Sequence, residues 1–138
     1  MKVMEVRFAH MGVAVADILT ARESFAELFG YELVSGPFDD PIQKVTVCFL
    51  GTPGNREPVI ELIAPLGEDS PVKRLLAKGG GAYHLCYEVA DMEKAMNEAK
   101  SKGCVTVSGP VAAVAFGGRR IAWLYTPARQ LVEFVERG

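Results

Sequence analysis

The chain has 138 residues, 49% of them hydrophobic and 23% charged, and its formal net charge is −2 at pH 7. This length suits one globular domain with a substantial core, and the small net charge argues against nucleic acid or an anionic membrane as a partner. No apolar run approaches the length of a membrane span, and residues 1–8 lack a signal-peptide core. Three cysteines without Cys-x-x-Cys spacing favour free thiols and a cytoplasmic location.

The first half of the chain predicts the order βαβββ. A strand over 3–15 is followed by a helix that Asp17 caps and Gly30 ends. Apolar residues at helical spacing predict the buried face of this helix, namely Ile18, Ala21, Phe25 and Leu28. Three strands follow, over 31–35, 43–50 and 58–64. Residues 36–41 are expected to form a loop between the first two of these strands.

The second half repeats this order after a short joining helix. A Ser-Pro pair with Ser70 as N-cap predicts that helix over 70–79. A strand over 82–89 then leads to a helix that Asp91 caps, with a buried stripe of Met92, Ala95, Met96 and Ala99. Three strands complete the half, over 104–107, 119–125 and 130–136.

Three segments of the first half recur in the second half at offsets of 72 to 74 residues. The matching pairs are His10–Asp17 with His84–Asp91, Val34–Pro37 with Val107–Pro110, and Ile60–Ile63 with Val132–Val135. Echoes at nearly one offset indicate a duplicated unit. We therefore expect a single domain over 1–138, made of modules 3–66 and 80–138 joined by the helix over 70–79.

The duplication places two histidines and two glutamates at matching positions. His10 and His84 are the only histidines in the chain, and Glu61 and Glu133 share the late echo. If the two modules pair their sheets about a pseudo-twofold axis, these four side chains meet at the floor of a cleft. Imidazole and carboxylate are ligands for divalent metals, and open positions on such an ion polarise a substrate oxygen. Because a single histidine on a strand is usually structural, the metal-site prediction rests on the matched positions of these four residues in the two halves.

Other polar residues near these positions leave two interpretations open. Cys86 shares a predicted strand face with His84, as a candidate ligand or, preferably, a small buried hydrophobe. Glu88 lies on the same face and is expected to be solvated or paired. Arg119 and Arg120 are candidates for binding an anionic substrate, and a solvated strand end is an equal alternative.

Four segments carry a resemblance to a known family: His10–Val15, Ile60–Pro71, His84–Val89 and Gly117–Leu124. The chain resembles the vicinal oxygen chelate superfamily, which includes glyoxalase I, methylmalonyl-CoA epimerases, extradiol dioxygenases and bleomycin-resistance proteins. The epimerases are the most similar members. The resemblance implies an α+β fold of two βαβββ modules with paired sheets around a shared metal-binding cleft. It places His10, Glu61, His84 and Glu133 on the family's metal-ligand positions.

The resemblance also implies an activity. It predicts a metal-dependent isomerase that removes the proton α to a thioester carbonyl, acting on methylmalonyl-CoA or a similar acyl-CoA. The divalent ion is Co, Ni, Zn, Mn or Mg, and the catalytic residues are Glu133, as both ligand and base, and Glu61. The resemblance to the epimerases also implies a second carboxylate base on the third strand, whereas Val45–Leu50 contains none.

The resemblance leaves two alternative functions open and also implies an assembly state. A glyoxalase I-like lactoylglutathione lyase, acting on a glutathione adduct, uses the same metal chemistry. A non-catalytic protein that binds an antibiotic or metabolite is the other alternative, although such relatives generally lack the four ligands. An extradiol dioxygenase is disfavoured, because its iron takes two histidines and one carboxylate. Relatives commonly form dimers and sheet edges need cover, so we expect a homodimer.

Overall fold

The computed structural model describes residues 5–138 and shows the order βαβββ twice, with a short helix between the two runs. The first run comprises β1 (Val6–Ala14), α1 (Ile18–Phe29), β2 (Glu32–Asp40), β3 (Val45–Gly51) and β4 (Pro58–Pro65), and α2 (Val72–Ala77) follows. The second run comprises β5 (Gly81–Val89), α3 (Met92–Ser101), β6 (Val105–Ala112), a 3-10 turn (Val114–Phe116), β7 (Arg120–Tyr125) and β8 (Leu131–Glu136). The chain divides into two compact units: the first is His10–Tyr83, and the second combines residues 5–9 with His84–Gly138. The predicted α+β fold class is confirmed.

The first unit packs α1 on a sheet with the strand order β2-β3-β4-β1, in which β1 and β4 are parallel. The Asp17 carboxylate caps α1 by accepting a hydrogen bond from the Thr20 amide at 2.9 Å. The core contains Cys48, Leu50, Ile60 and Leu62, against which Met11, Val13, Val15, Ile18, Ala21 and Phe25 pack. The predicted apolar stripe is wrong at Leu28, which is 69% exposed. The contact surface of α1 therefore ends one turn earlier than its apolar spacing suggests.

The second unit packs α3 on a sheet with the order β5-β8-β7-β6, in which β5 and β8 are parallel. The Asp91 carboxylate accepts a hydrogen bond from the Lys94 amide at 3.1 Å, as expected of an N-cap. The predicted stripe is buried at all four positions, and it packs against Val89, Ala122, Leu124, Val132 and Phe134. One face of this sheet therefore packs against α3, and the opposite face carries the site described below.

Two strands are longer than their sequence predicts. β2 continues through the expected loop to Asp40, and β6 continues past Val107 to Ala112. In each strand a glycine with positive φ, Gly36 at +94° and Gly109 at +87°, lies within a register shift of the ladder. Glycine adopts this conformation without steric cost, so the extra residues form a bulge and pairing resumes beyond it. The Gly-Pro pairs therefore bend these strands rather than end them.

The joining helix is shorter than predicted. It spans Val72–Ala77, and the Ser70 hydroxyl accepts a hydrogen bond from the Val72 amide at 3.4 Å. Three glycines with positive φ, Gly79, Gly80 and Gly81, follow it and preclude further helix. Among the described residues, no helix combines the length and the apolar character needed to cross a membrane.

Candidate metal centre

In the first unit, one histidine and one glutamate meet between the parallel strands β1 and β4. Gly12 pairs with Glu61 in this ladder, and His10 precedes Gly12 by two residues on the same face. This register brings His10 Nε2 to 3.2 Å from Glu61 Oε1. Both side chains are buried, with residue exposures of 2% and 4%. Phe49 on β3 lies opposite Glu61, and its ring centroid is 5.4 Å from that of His10 in a T-shaped contact.

The second unit builds the same arrangement between β5 and β8. Cys86 pairs with Glu133, and His84 again precedes the paired residue by two positions. His84 Nε2 lies 3.4 Å from Glu133 Oε1, and both residues are buried. Trp123 on β7 lies opposite Glu133, and its ring centroid is 4.7 Å from that of His84, also in a T-shaped contact. Each unit therefore supplies one buried His–Glu pair backed by an aromatic ring.

These two pairs have the composition of a metal centre. His10 and Glu61 in the first unit, and His84 and Glu133 in the second, each offer one ligand atom for a metal ion. Neutral imidazole nitrogens and carboxylate oxygens bind divalent first-row metals, so the donor set fits such an ion. Burying an ionised carboxylate costs free energy unless a cation or hydrogen-bond donors stabilise it, and a bound metal ion would be such a cation.

Cys86 is a small buried hydrophobe, as the sequence favours. It is 0% exposed and lies in an apolar cluster with Ala113, Ile121 and Val135. The residues that could hold a metal ion do not include it. Its role is to pack the same face of β5 that presents His84.

The two candidate arginines are both occupied by carboxylates. Arg119 Nη1 lies 3.5 Å from Glu88 Oε2, which confirms that Glu88 is paired. Arg120 Nε donates to Glu136 Oε2 at 3.0 Å, and its Nη1 lies 2.8 Å from Glu93 Oε1. The hydrogen bond from Arg120 holds the pKa of Glu136 below its ordinary value, since it stabilises the ionised carboxylate. Both guanidinium groups therefore form ion pairs with carboxylates of the second unit.

Cys48 on β3 is a buried structural thiol. Burial raises the pKa of Cys48 to about 11, with a smaller raising effect from Glu61 and a lowering effect from Arg22. A thiol with so high a pKa is almost wholly protonated at neutral pH and is a poor nucleophile. It contributes packing rather than chemistry.

Sequence reasoning missed the aromatic residues beside the two pairs. Phe49 and Trp123 are far from the histidines in sequence, and only the antiparallel register across each hairpin places them opposite Glu61 and Glu133. The sequence could have identified these aromatic residues if the antiparallel pairing had been extended from each hairpin turn to the residue opposite each glutamate. The chain has a single tryptophan, which makes Trp123 the more informative of the two.

Comparisons with known proteins agree on one family. Residues 9–123 match the family model of the Glyoxalase/Bleomycin resistance protein/Dioxygenase superfamily. An ethylmalonyl-CoA/methylmalonyl-CoA epimerase of Cereibacter sphaeroides is 34% identical over 121 residues, which cover 86% of this chain and 87% of that protein. The crystal structure of methylmalonyl-CoA epimerase from Mycobacterium tuberculosis superposes with a TM-score of 0.80 at 28% identity, covering 95% of this chain and 87% of that one. A Streptomyces coelicolor methylmalonyl-CoA epimerase variant, in complex with 2-nitronate-propionyl-CoA, has a TM-score of 0.78 at 25% identity, covering 96% and 94%.

Proposed function

The chain belongs to the glyoxalase/bleomycin resistance protein/dioxygenase superfamily, and from that premise we propose that it is an epimerase of methylmalonyl-CoA or a closely similar acyl-CoA. The observation that carries this proposal is the similarity to the Cereibacter epimerase, which extends over most of both chains. The two buried His–Glu pairs support it, because they supply the kinds of groups that proton transfer next to a thioester carbonyl requires.

We further propose that His10, Glu61, His84 and Glu133 together hold one divalent metal ion. Each unit contributes one nitrogen and one oxygen ligand, and two carboxylates neutralise a dication. When bound, such an ion supplies Lewis acidity that stabilises negative charge on a substrate oxygen. The ligand set suits Co²⁺, Ni²⁺, Zn²⁺ or Mn²⁺, and its carboxylates also suit Mg²⁺.

We assign proton transfer to the two glutamates. A carbon acid beside a thioester loses its proton slowly to a free carboxylate, so a general base must be positioned at the α-carbon. Epimerisation removes the proton from one face and returns it to the other, and the chain offers one buried glutamate in each unit for these two roles. β3 contains no carboxylate, and Phe49 occupies the position opposite Glu61. Glu133 is the proposed base, and Glu61 is the proposed second group.

Substitution of the ligands tests the metal proposal and the base assignment separately. Glu133→Gln keeps a carbonyl oxygen for the metal but cannot accept a proton, so kcat should fall by about 100-fold or more. His84→Ala should instead lower metal occupancy, measured by elemental analysis of purified protein. Glu93→Gln, an exposed change on α3, is the matched control and should alter neither property. Full activity in Glu133→Gln would remove it as the base, and full occupancy in His84→Ala would remove that histidine as a ligand.

We propose that the protein is a homodimer. β6 pairs only with β7 among the described strands, and all eight of its residues are exposed. Three of them are valines, Val105, Val107 and Val111. A strand edge of this kind needs cover, which a second copy provides. Light scattering at micromolar concentration should give twice the 14.9 kDa chain mass, and a monomeric mass would count against the proposal.

The three cysteines support a reducing compartment. Cys48, Cys86 and Cys104 form no disulfide with one another, and the first two are buried. Free thiols are usual where glutathione and thioredoxin keep them reduced. We propose a cytoplasmic location on this basis, which fluorescence of a tagged protein in its native cell would check.

A further inference from the structure

The two His–Glu pairs differ in the aromatic ring that backs them. Phe49 and Trp123 occupy the same place, each opposite the glutamate of its unit and edge-on to the histidine. Phe49 is buried at 4% exposure, whereas Trp123 remains partly exposed. Of these two rings, that of the second unit is the one partly exposed beside its ligand pair.

The exposed part of Trp123 lies on the face of the sheet that carries His84. Trp123 packs on a buried cluster that contains Ile121, Cys86 and Val135. The alternate residues of β7, Ala122 and Leu124, face the opposite way and pack against α3. Because side chains alternate along a strand, the indole and the His–Glu pair share one face.

The indole also carries one polar group, its N–H. The Trp123 N–H is a donor that cannot accept a hydrogen bond. The contacts described for Trp123 within residues 5–138 are with the His84 ring and with the apolar cluster that contains Ile121. Tryptophan at partly buried positions usually finds a partner for this group. An indole beside a ligand pair therefore offers its N–H to an anionic or carbonyl oxygen of a bound molecule.

A malonyl-type substrate requires such a donor. It differs from a simple acyl-CoA by a free carboxylate, and desolvation of a carboxylate is unfavourable without hydrogen bonds. The guanidinium groups of Arg119 and Arg120 already bind Glu88 and Glu136. The indole N–H is a neutral donor that does not depend on those ion pairs.

We propose that Trp123 is a specificity-determining residue, which packs against His84 and donates its indole N–H to the carboxylate of a malonyl-type acyl-CoA. This inference rests on the proposed function. A site built around a hydrogen bond discriminates strongly against the analogue that lacks the partner group. Trp123 therefore selects methylmalonyl-CoA over propionyl-CoA, which has no free carboxylate.

The single tryptophan allows a direct test of its position. All indole fluorescence arises from Trp123, because the chain has no other tryptophan. Open-shell Co²⁺ or Ni²⁺ bound at the ligand pairs should quench this emission, and closed-shell Zn²⁺ should not. With the Zn²⁺-loaded protein, methylmalonyl-CoA should shift the emission more than propionyl-CoA at equal saturation. Equal shifts, or no quenching by bound Co²⁺, would overturn the proposal.

A conservative variant separates the hydrogen bond from packing. Trp123→Phe keeps a ring beside His84 and removes the N–H, so kcat/KM for methylmalonyl-CoA should fall about tenfold. Metal content and α-proton exchange of propionyl-CoA should stay unchanged. Tyr125→Phe, two residues along β7 at a side chain that is 44% exposed, is the control and should change nothing. Equal losses on both substrates would show that the ring only packs.

Activity of the wild-type protein tests the epimerase proposal separately from the proposal for Trp123. If the metal-loaded wild type exchanges the α-proton of neither substrate, the epimerase proposal fails. The fluorescence comparison of methylmalonyl-CoA with propionyl-CoA still decides whether Trp123 senses the carboxylate. If the wild type is active but Trp123→Phe discriminates as well as the wild type, the indole proposal alone is refuted.

Discussion

Gly109 is a position where a single methyl group should destabilise the second unit severely. Its φ is +87°, and a Cβ placed there would lie 2.6 Å from the Ile121 carbonyl oxygen and 2.9 Å from Ala122 Cα. Both atoms belong to the backbone of β7, so neither can move aside as a flexible side chain would. The left-handed conformation costs an alanine about 1–2 kcal/mol, and overpacking of this kind adds roughly 1–3 kcal/mol. We expect Gly109→Ala to lower the free energy of unfolding by about 2–5 kcal/mol.

Gly118 is a matched control for this change. It has the same φ of +87°, but a Cβ there meets nothing within 4 Å. Gly118→Ala should therefore cost only the conformational part, about 1–2 kcal/mol. The difference between the two variants isolates the steric clash with β7.

Urea unfolding followed by circular dichroism measures both losses. Gly109→Ala should also shift Trp123 emission in the native state, because β6 approaches β7 at the strand that carries this residue. Equal losses of stability in the two variants would refute the argument that the bulge in β6 depends on close backbone contact at Gly109.

Two further predictions concern the first unit. Because the pKa of Cys48 is raised from 9.0 to about 11, the unfolded chain binds fewer protons between those values, and wild-type stability should fall as pH rises from 9 to 11. The full loss is about 3 kcal/mol, and Cys48→Ala should show a correspondingly flatter profile in urea unfolding; identical profiles would contradict the shift. Leu50→Ala should cost about 2–5 kcal/mol because that side chain is 0% exposed, whereas Leu28→Ala, at a side chain 69% exposed, should change stability by about 0.5 kcal/mol or less. Equal effects of the two leucine substitutions, measured in the same way, would contradict the exposure of Leu28 on α1 and the burial of Leu50 on β3.

Local patterns predicted the order of elements well. The stripe of α3 is buried at each expected position, and Asp17 and Asp91 cap their helices, because these features depend on residues within a few positions of one another. The repeated Val-Ser-Gly-Pro segments had a less obvious meaning. They indicated a duplicated unit, whereas the bulges that Gly36 and Gly109 produce in long strands become visible only in the pairing with β3 and β7.

The candidate site followed from the duplication more than from any local motif. Equal positions in the two halves singled out His10, Glu61, His84 and Glu133, and within each unit one histidine lies beside one glutamate. That the two pairs share one metal ion stays a prediction. The role of Trp123 lay beyond local sequence patterns, since it arises from cross-strand register and from the difference in burial between two equivalent rings.

The most direct test of the epimerase proposal is exchange of the α-proton with solvent. Metal-loaded protein is incubated in deuterated water with methylmalonyl-CoA and, separately, with the glutathione hemithioacetal of methylglyoxal, and the products are analysed by mass spectrometry. We predict that methylmalonyl-CoA gains one deuterium at the α-carbon and that the hemithioacetal is not converted. Conversion of the hemithioacetal alone would assign a glyoxalase-type lyase, and reaction of neither substrate would contradict proton transfer at a thioester and favour a binding protein.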